Sequence, residues 1–228
     1  MKTARIAGIF AAFALAALTA VFALRFSAPA PANAASADAK AVLYNTEGNV
    51  TFFRKGVELP AEIDTPLMNG DSFKTGAESE MDITVGGYSG IRLYADGELT
   101  LDKVAEITLT FKLKQGRMLI STKKLPSGLT IEIDMPNAIV RTTVSDSQYM
   151  VLVHPGAKKP DEARSLVTVR KGRLGVYVKK ASASANVIEG TSLDITPEVY
   201  LPNPRNATEE EIAWVRKVNQ IPVLPPDA

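Results

Sequence analysis

Three short stretches carry the residue types of a serine acyl-transfer site: Lys74-Thr75-Gly76, Ser121-Thr122-Lys123-Lys124 and Ser145-Asp146-Ser147. They imitate Lys-Thr-Gly, Ser-x-x-Lys and Ser-Asp-Asn elements, in which a serine is activated by neighbouring lysine chemistry. Their order along the chain is wrong for that site, the third lacks its asparagine, and no helical domain is written to hold them. Lys74–Gly76 reads better as a turn. His154, the one histidine, could in principle join a serine and an aspartate in a triad. It precedes Pro155-Gly156, a turn, and no nucleophile elbow is present. Asp82, Asp96, Asp134 and Asp146 are scattered, whereas a calcium loop needs several oxygens converging from one short segment. Gly86-Gly87-Tyr88-Ser89-Gly90 has no helix after it, so it reads as a strand bulge or bend, not a phosphate cradle.

Composition narrows the chemistry further. There is no cysteine, which removes disulfides, thiolate metal sites and thiol nucleophiles. One histidine cannot build a histidine metal cluster. The formal net charge of +1 gives no reason to expect nucleic acid as a partner. The expectation is a non-enzymatic protein with no catalytic, cofactor-binding or metal-ligating residues.

The elements that organise the chain are strands. Between Glu106 and Lys114, Ile107, Leu109, Phe111 and Leu113 alternate with polar residues, as on a strand with one dry face. Gln115-Gly116 ends that strand in this reading, and another begins at Arg117. The alternation returns in Leu129–Met135, Val167–Gly172 and Arg173–Val178. Asn69-Gly70 and Thr75-Gly76 mark turns needing positive φ, and Asp96-Gly97 is a hairpin signal. Short strands punctuated by turns, without a helical period, predict an all-β antiparallel sandwich or roll over residues 41–200. The expected core is Ile83, Val85, Ile91, Leu93, Leu99, Leu101, Ile107, Leu109, Phe111, Leu113, Met118, Ile120, Ile131, Ile133, Val167, Val169, Leu174, Val176 and Val178. Lysines at 123–124, 158–159 and 179–180 keep strand ends and edges soluble.

Residues 1–34 read as an export signal. Lys2 and Arg5 precede the apolar run 6–24, and Ala32-Asn33-Ala34 offers a cleavage site. The run is also long enough to remain as a membrane anchor, so a cleaved signal and a signal anchor are both open. Either way the rest of the chain lies outside the cytoplasm, and residues 6–24 are its one route into the membrane. Residues 35–40 form a linker. At the other end, residues 201–228 carry a helix from Glu209 to about Asn219 and a proline-rich tail. Thr208 and Glu211 form a capping box. Ile212, Val215 and Val218 make one apolar stripe with Trp214 beside it. That stripe either docks on the β-domain or binds a partner.

Several segments follow one another as in a known family. They are Gly48-Asn-Val50 to Arg54-Lys-Gly56, Asn69-Gly-Asp-Ser-Phe-Lys-Thr-Gly76, Ile91-Arg-Leu93, Asp96-Gly-Glu-Leu-Thr-Leu101, Leu113-Lys-Gln-Gly-Arg-Met-Leu119, Met135-Pro-Asn-Ala138 and Val167–Val176. The region from Val42 to Thr196 resembles the FecR domain, an extracytoplasmic all-β module. The resemblance implies a periplasmic binding, scaffolding or signal-transducing part of the bacterial envelope, whose partner is another envelope protein or polymer. Thr142-Thr143 departs from the family, which has Gly-Thr after Val-Arg. The family's regulators also carry a cytoplasmic segment that handles a sigma factor; here only Met1–Arg5 precede the apolar run, so that role does not carry over. The alternatives are a sensor meeting a membrane receptor or regulator and, last, an enzyme acting on envelope glycans, whose mark would be paired carboxylates in a cleft.

Overall fold

A computed structural model describes residues 41–105, 107–157, 159, 162–198 and 202–223. The signal segment 1–34, the linker 35–40 and the end of the tail, 224–228, lie outside them.

Eight strands precede a central one: β1 (Ala41–Glu47), β2 (Val50–Arg54), β3 (Val57–Leu59), β4 (Thr65–Pro66), β5 (Ser72–Thr75), β6 (Glu80–Val85), β7 (Ser89–Leu93) and β8 (Glu98–Ala105). The central strand is β9 (Thr108–Thr122). Eight follow it: β10 (Thr130–Asp134), β11 (Ala138–Thr142), β12 (Gln148–His154), β13 (Arg164–Lys171), β14 (Arg173–Val178), β15 (Ala183–Ile188), β16 (Thr191–Ile195) and β17 (Arg205–Asn206). Helix α1 (Glu209–Arg216) and a 3-10 turn (Lys217–Gln220) close the described chain.

The strands form two packed layers. Layer A runs β4-β1-β6-β7-β9-β12-β13-β16-β17. Layer B runs β3-β2-β5-β8-β9-β10-β11-β14-β15. Strand β9 sits at the middle of both. Its first half pairs β8 and β10, and its second half pairs β7 and β12. The halves of the chain before and after β9 therefore build opposite flanks of each layer. All pairings are antiparallel except β9 with β10. One core fills the space between the layers, from Leu43, Met81 and Tyr149 on one side to Phe52, Phe73 and Phe111 on the other.

Gly116 makes the shared strand possible. At φ +98 it bends the chain without ending the strand, and a Cβ there would lie 2.5 Å from Gly97 Cα. The expected break at Gln115-Gly116 is thus a passage from one layer to the other. Asp96-Gly97 is likewise no hairpin: β7 and β8 belong to different layers, and this turn carries the chain between them. Gly76 does not adopt positive φ, although Gly70 does. Gly86 and Gly87 form a tight hairpin turn between β6 and β7, both at positive φ. The expected core is buried except Ile107, which is 65% exposed. Ile107 falls in the turn between β8 and β9, so the alternation that placed it inward stops one residue short.

Most motif residues prove to hold the fold. Asp71 is buried and accepts from Arg54 Nε and Nη2 and from the Met68 amide. The Thr75 hydroxyl donates to Tyr94 O at 2.6 Å and accepts from Gly97 N at 2.8 Å, clamping the inter-layer turn onto β5. Asn137 ties the layers together. Its amide donates to the carbonyls of Ala163 and Ile195, and its oxygen accepts from Ser165 Oγ. The departure at Thr142 has a physical reason too: its hydroxyl is buried and donates to Tyr149, whose phenol burial pushes well above its usual range.

Candidate functional site

The outer face of layer A is where the chain's own tail lands. One row of residues crosses six strands in register: Asp82, Arg92, Leu119, Met150, Thr168 and Ser192. All are 9% exposed or less. Arg92 holds Asp82 with two parallel bonds of 2.7 and 2.8 Å and reaches Glu80 at 2.7 Å. Such a bidentate pair satisfies both charges, which lets them lie under cover. Leu119 and Met150 meet Val215, Val218 and Ile221 in a second small core.

Local chemistry fixes the helix there. Thr208 caps α1 and Glu211 returns the bond, as the capping box predicts. Glu211 also accepts from Ser192 Oγ and pairs with Arg205. The Arg205 hydrogen bonds hold its carboxyl down at about 2. Val215 and Val218 are buried as the apolar stripe requires. Past the helix, the Pro222 carbonyl passes over β7 so closely that a Cβ on Gly90 would lie 2.6 Å from it. The docked helix bears out the simpler of the two expectations for its stripe.

Trp214 is held on three sides. The Arg117 guanidinium and the Lys217 ammonium each lie 3.6 Å from the ring centroid. At that distance they must occupy opposite faces. Tyr94 meets the indole edge-on, with centroids 5.6 Å apart. Arg117 has no ion pair among the described residues, and its Nε is buried with no hydrogen-bond partner. Burial pulls its pKa down.

Beside this stack lies a cleft of about 640 Å³. Its lining includes Glu47, Glu78, Glu80, Tyr94, Asp96, Arg117, His154, Trp214 and Lys217. Burial raises the Glu80 carboxyl against the pull of Arg92. The cleft thus combines carboxylates, aromatic surface and Arg117, which has no ion pair among the described residues. That lining suits a ligand with separated positive and negative groups. Among the described residues no group of three or more His, Cys, Asp or Glu could hold a metal ion.

The stretches singled out for acyl transfer are only partly brought together. Ser121–Lys124 and Ser145–Ser147 are neighbours through Thr122 N to Ser147 O and Asp146 N to Lys123 O. Lys74 and Thr75 end β5, in the other layer, and Gly76 follows it. His154 ends β12 on an exposed rim of the cleft. Of the four scattered aspartates, Asp82 is the one buried in an ion pair; Asp134 bonds Lys179, Asp146 bonds Lys171, and Asp96 turns the chain at φ +55. Sequence reasoning missed Arg117 and Tyr94. The hydrophobic-polar alternation places Arg117 on an outer face, and nothing local announces that Trp214, nearly a hundred residues later, will cover it.

No protein-family model matches the chain. No curated protein matches it either. Two crystal structures of a "putative anti-sigma factor" from Parabacteroides distasonis do match, each with a TM-score of 0.51. The chain has the fold of these structures. Identities are 10% and 12%, over 62% and 63% of this chain and 62% and 64% of theirs. The match thus spans less than two thirds of either neighbour and shows the fold alone. Among the described residues no helix is long and apolar enough to cross a membrane; the run 6–24 lies outside them.

Proposed function

We propose that this protein is a non-enzymatic, exported FecR-like module of the bacterial envelope that binds a partner and serves in signal transduction or scaffolding. The observation that carries the reading is the fold shared with the two structures described as a "putative anti-sigma factor". The ordered FecR-like segments and the export signal agree with it. The cleft beside Trp214 is where binding would occur, with Arg117 receiving an anionic group of an envelope protein or polymer. The Trp214 helix is itself consumed by layer A, so it acts as a wall of the site and not as a free recognition helix.

The test is affinity capture of the full chain from cross-linked native envelopes. Wild type should bring down a partner that Arg117→Glu does not. Recovery of the protein from the cytoplasm, or capture indifferent to Arg117, would count against the reading. A second reading draws on the acidic wall: Glu80 is a raised carboxyl facing other acids in a cleft, the arrangement a glycan-cleaving enzyme uses. Release of soluble sugar from cell-wall material, lost in Glu80→Gln, would favour it over the first.

A further inference from the structure

Each layer ends in two edge strands, and three of the four are blunted. Strand β4 is two residues long and contains Pro66. Strand β17 is also two residues, and Arg205 in it is committed to Asp194 and Glu211. Strand β3 has three residues centred on Glu58. Shortness, proline and charge are the usual guards against pairing with another chain. Strand β15 has none of them. It runs six residues, Ala183-Ser-Ala-Asn-Val-Ile188, with no charge and no proline.

The direction of its free groups follows from the ladder. Ile188 N donates to Thr191 Oγ1 at 3.1 Å and not to β14. Antiparallel pairs alternate between bonded and non-bonded, so Val187, Ala185 and Ala183 make the bonds to β14. The far side of the sheet gives the same phase: Met135 N donates to Ala138 O, and Lys179 N to Asn137 O. The backbone N–H and C=O groups of Ser184 and Asn186 therefore point off the edge. Both residues are exposed.

We propose that β15 is a self-association edge, on which two copies pair antiparallel about a two-fold axis through Ala185. What selects a second copy as occupant is the strand's self-complementarity. Ser184 and Asn186 lie symmetrically about Ala185, so Ser184 of each copy faces Asn186 of the other, while the outward groups of Ile188 are taken by Thr191 Oγ1. Each facing pair exchanges N–H···O=C bonds in both directions. Their side chains, a hydroxyl and a carboxamide, also hydrogen-bond across the joint, and no like charges meet. Tyr177, 37% exposed and opposite Ser184 on β14, adds apolar surface beside the joint. Layer B then continues unbroken from one copy into the next.

Sedimentation equilibrium of the full chain tests this. Wild type should show a concentration-dependent doubling of mass. Asn186→Pro removes an outward N–H and none of the bonds to β14, as edge strands tolerate. It should leave the far-ultraviolet spectrum and melting curve unchanged and abolish the doubling. Ser184→Lys, which sets like charges near the axis, should weaken association at least tenfold and more so at low salt. A protein that is monomeric at every concentration, or a dimer that survives Asn186→Pro, would overturn the proposal. So would loss of a different protein, in place of a second copy, on that substitution.

Discussion

Layer B turns a ladder of ion pairs to solvent: Lys112 with Asp102, Lys114 with Glu98, Arg141 with Glu132 and Lys179 with Asp134. Layer A turns Leu119, Met150 and the Asp82–Arg92 pair outward and then covers them with α1 and residues 217–223. The contrast is visible within β9. From Thr108 to Lys114 buried and open positions alternate, while from Met118 to Thr122 every residue is buried. One strand is thus half surface and half interior. The difference teaches that the C-terminal segment is part of the fold, not an appendage: without it layer A would expose an apolar patch of Leu119 and Met150 with Tyr94 and Leu166 beside them.

Four perturbations would break or sharpen that contrast. The largest is Leu119→Asp, which puts a charge under the helix with no partner; about 4 kcal/mol should be lost in urea denaturation. Gly90→Ala comes next. The added methyl meets the Pro222 carbonyl and Ile221, so residues 220–223 must lift, at a cost of about 2 kcal/mol and with faster proteolysis of the tail. Third is acid. Glu211, with an ordinary value of 4.5, is held down at about 2, so its contribution to docking is complete above 4.5 and is lost as pH falls from there through about 2. Glu80 runs the other way, because its burial raises it and protonation relieves the strain of a covered charge. Stability should therefore hold or rise slightly on mild acidification, and then fall as the emission of Trp214, the sole tryptophan, moves to the red. Arg205→Met should weaken docking already at neutral pH and remove most of the Glu211-linked acid dependence. The smallest is Lys112→Ser, on the wet half of the same strand, which should change stability by less than about 1 kcal/mol. If Lys112→Ser cost as much as Leu119→Asp, the two faces would not differ as described.

Layer B was the more legible in the sequence, because alternation is the signature of a strand with one wet face. Leu109, Phe111, Leu113, Ile131, Ile133, Leu174, Val176 and Val178 all point inward as that rule requires. In layer A the same rule located the inward residues, but it could not tell that Leu119 and Met150 on the opposite face are covered as well. The glycines were readable as places of unusual backbone, yet not as turn or passage: Gly116 and Gly97 look like strand ends locally and serve instead to route the chain between layers. The capping box at Thr208 was readable because it spans four residues. The cleft was not, because its walls come from β1, the turns before β6 and β8, the bend in β9, the end of β12 and the C-terminal helix. A site assembled from six distant segments leaves no local pattern.

The central place of β9 has a bearing on how the molecule comes together. Neither flank is complete until residues 108–122 arrive, because β8 and β7 bond to different halves of that one strand. A chain emerging from its N-terminus could pair β4-β1-β6-β7 and β3-β2-β5-β8, but these would stay two unjoined sheets until β9 arrived. The same stitch then locks both sheets, so that prying them apart must rip out their common seam. Pairings so distant in sequence predict slow folding, and a shared seam predicts that the two sheets come apart together.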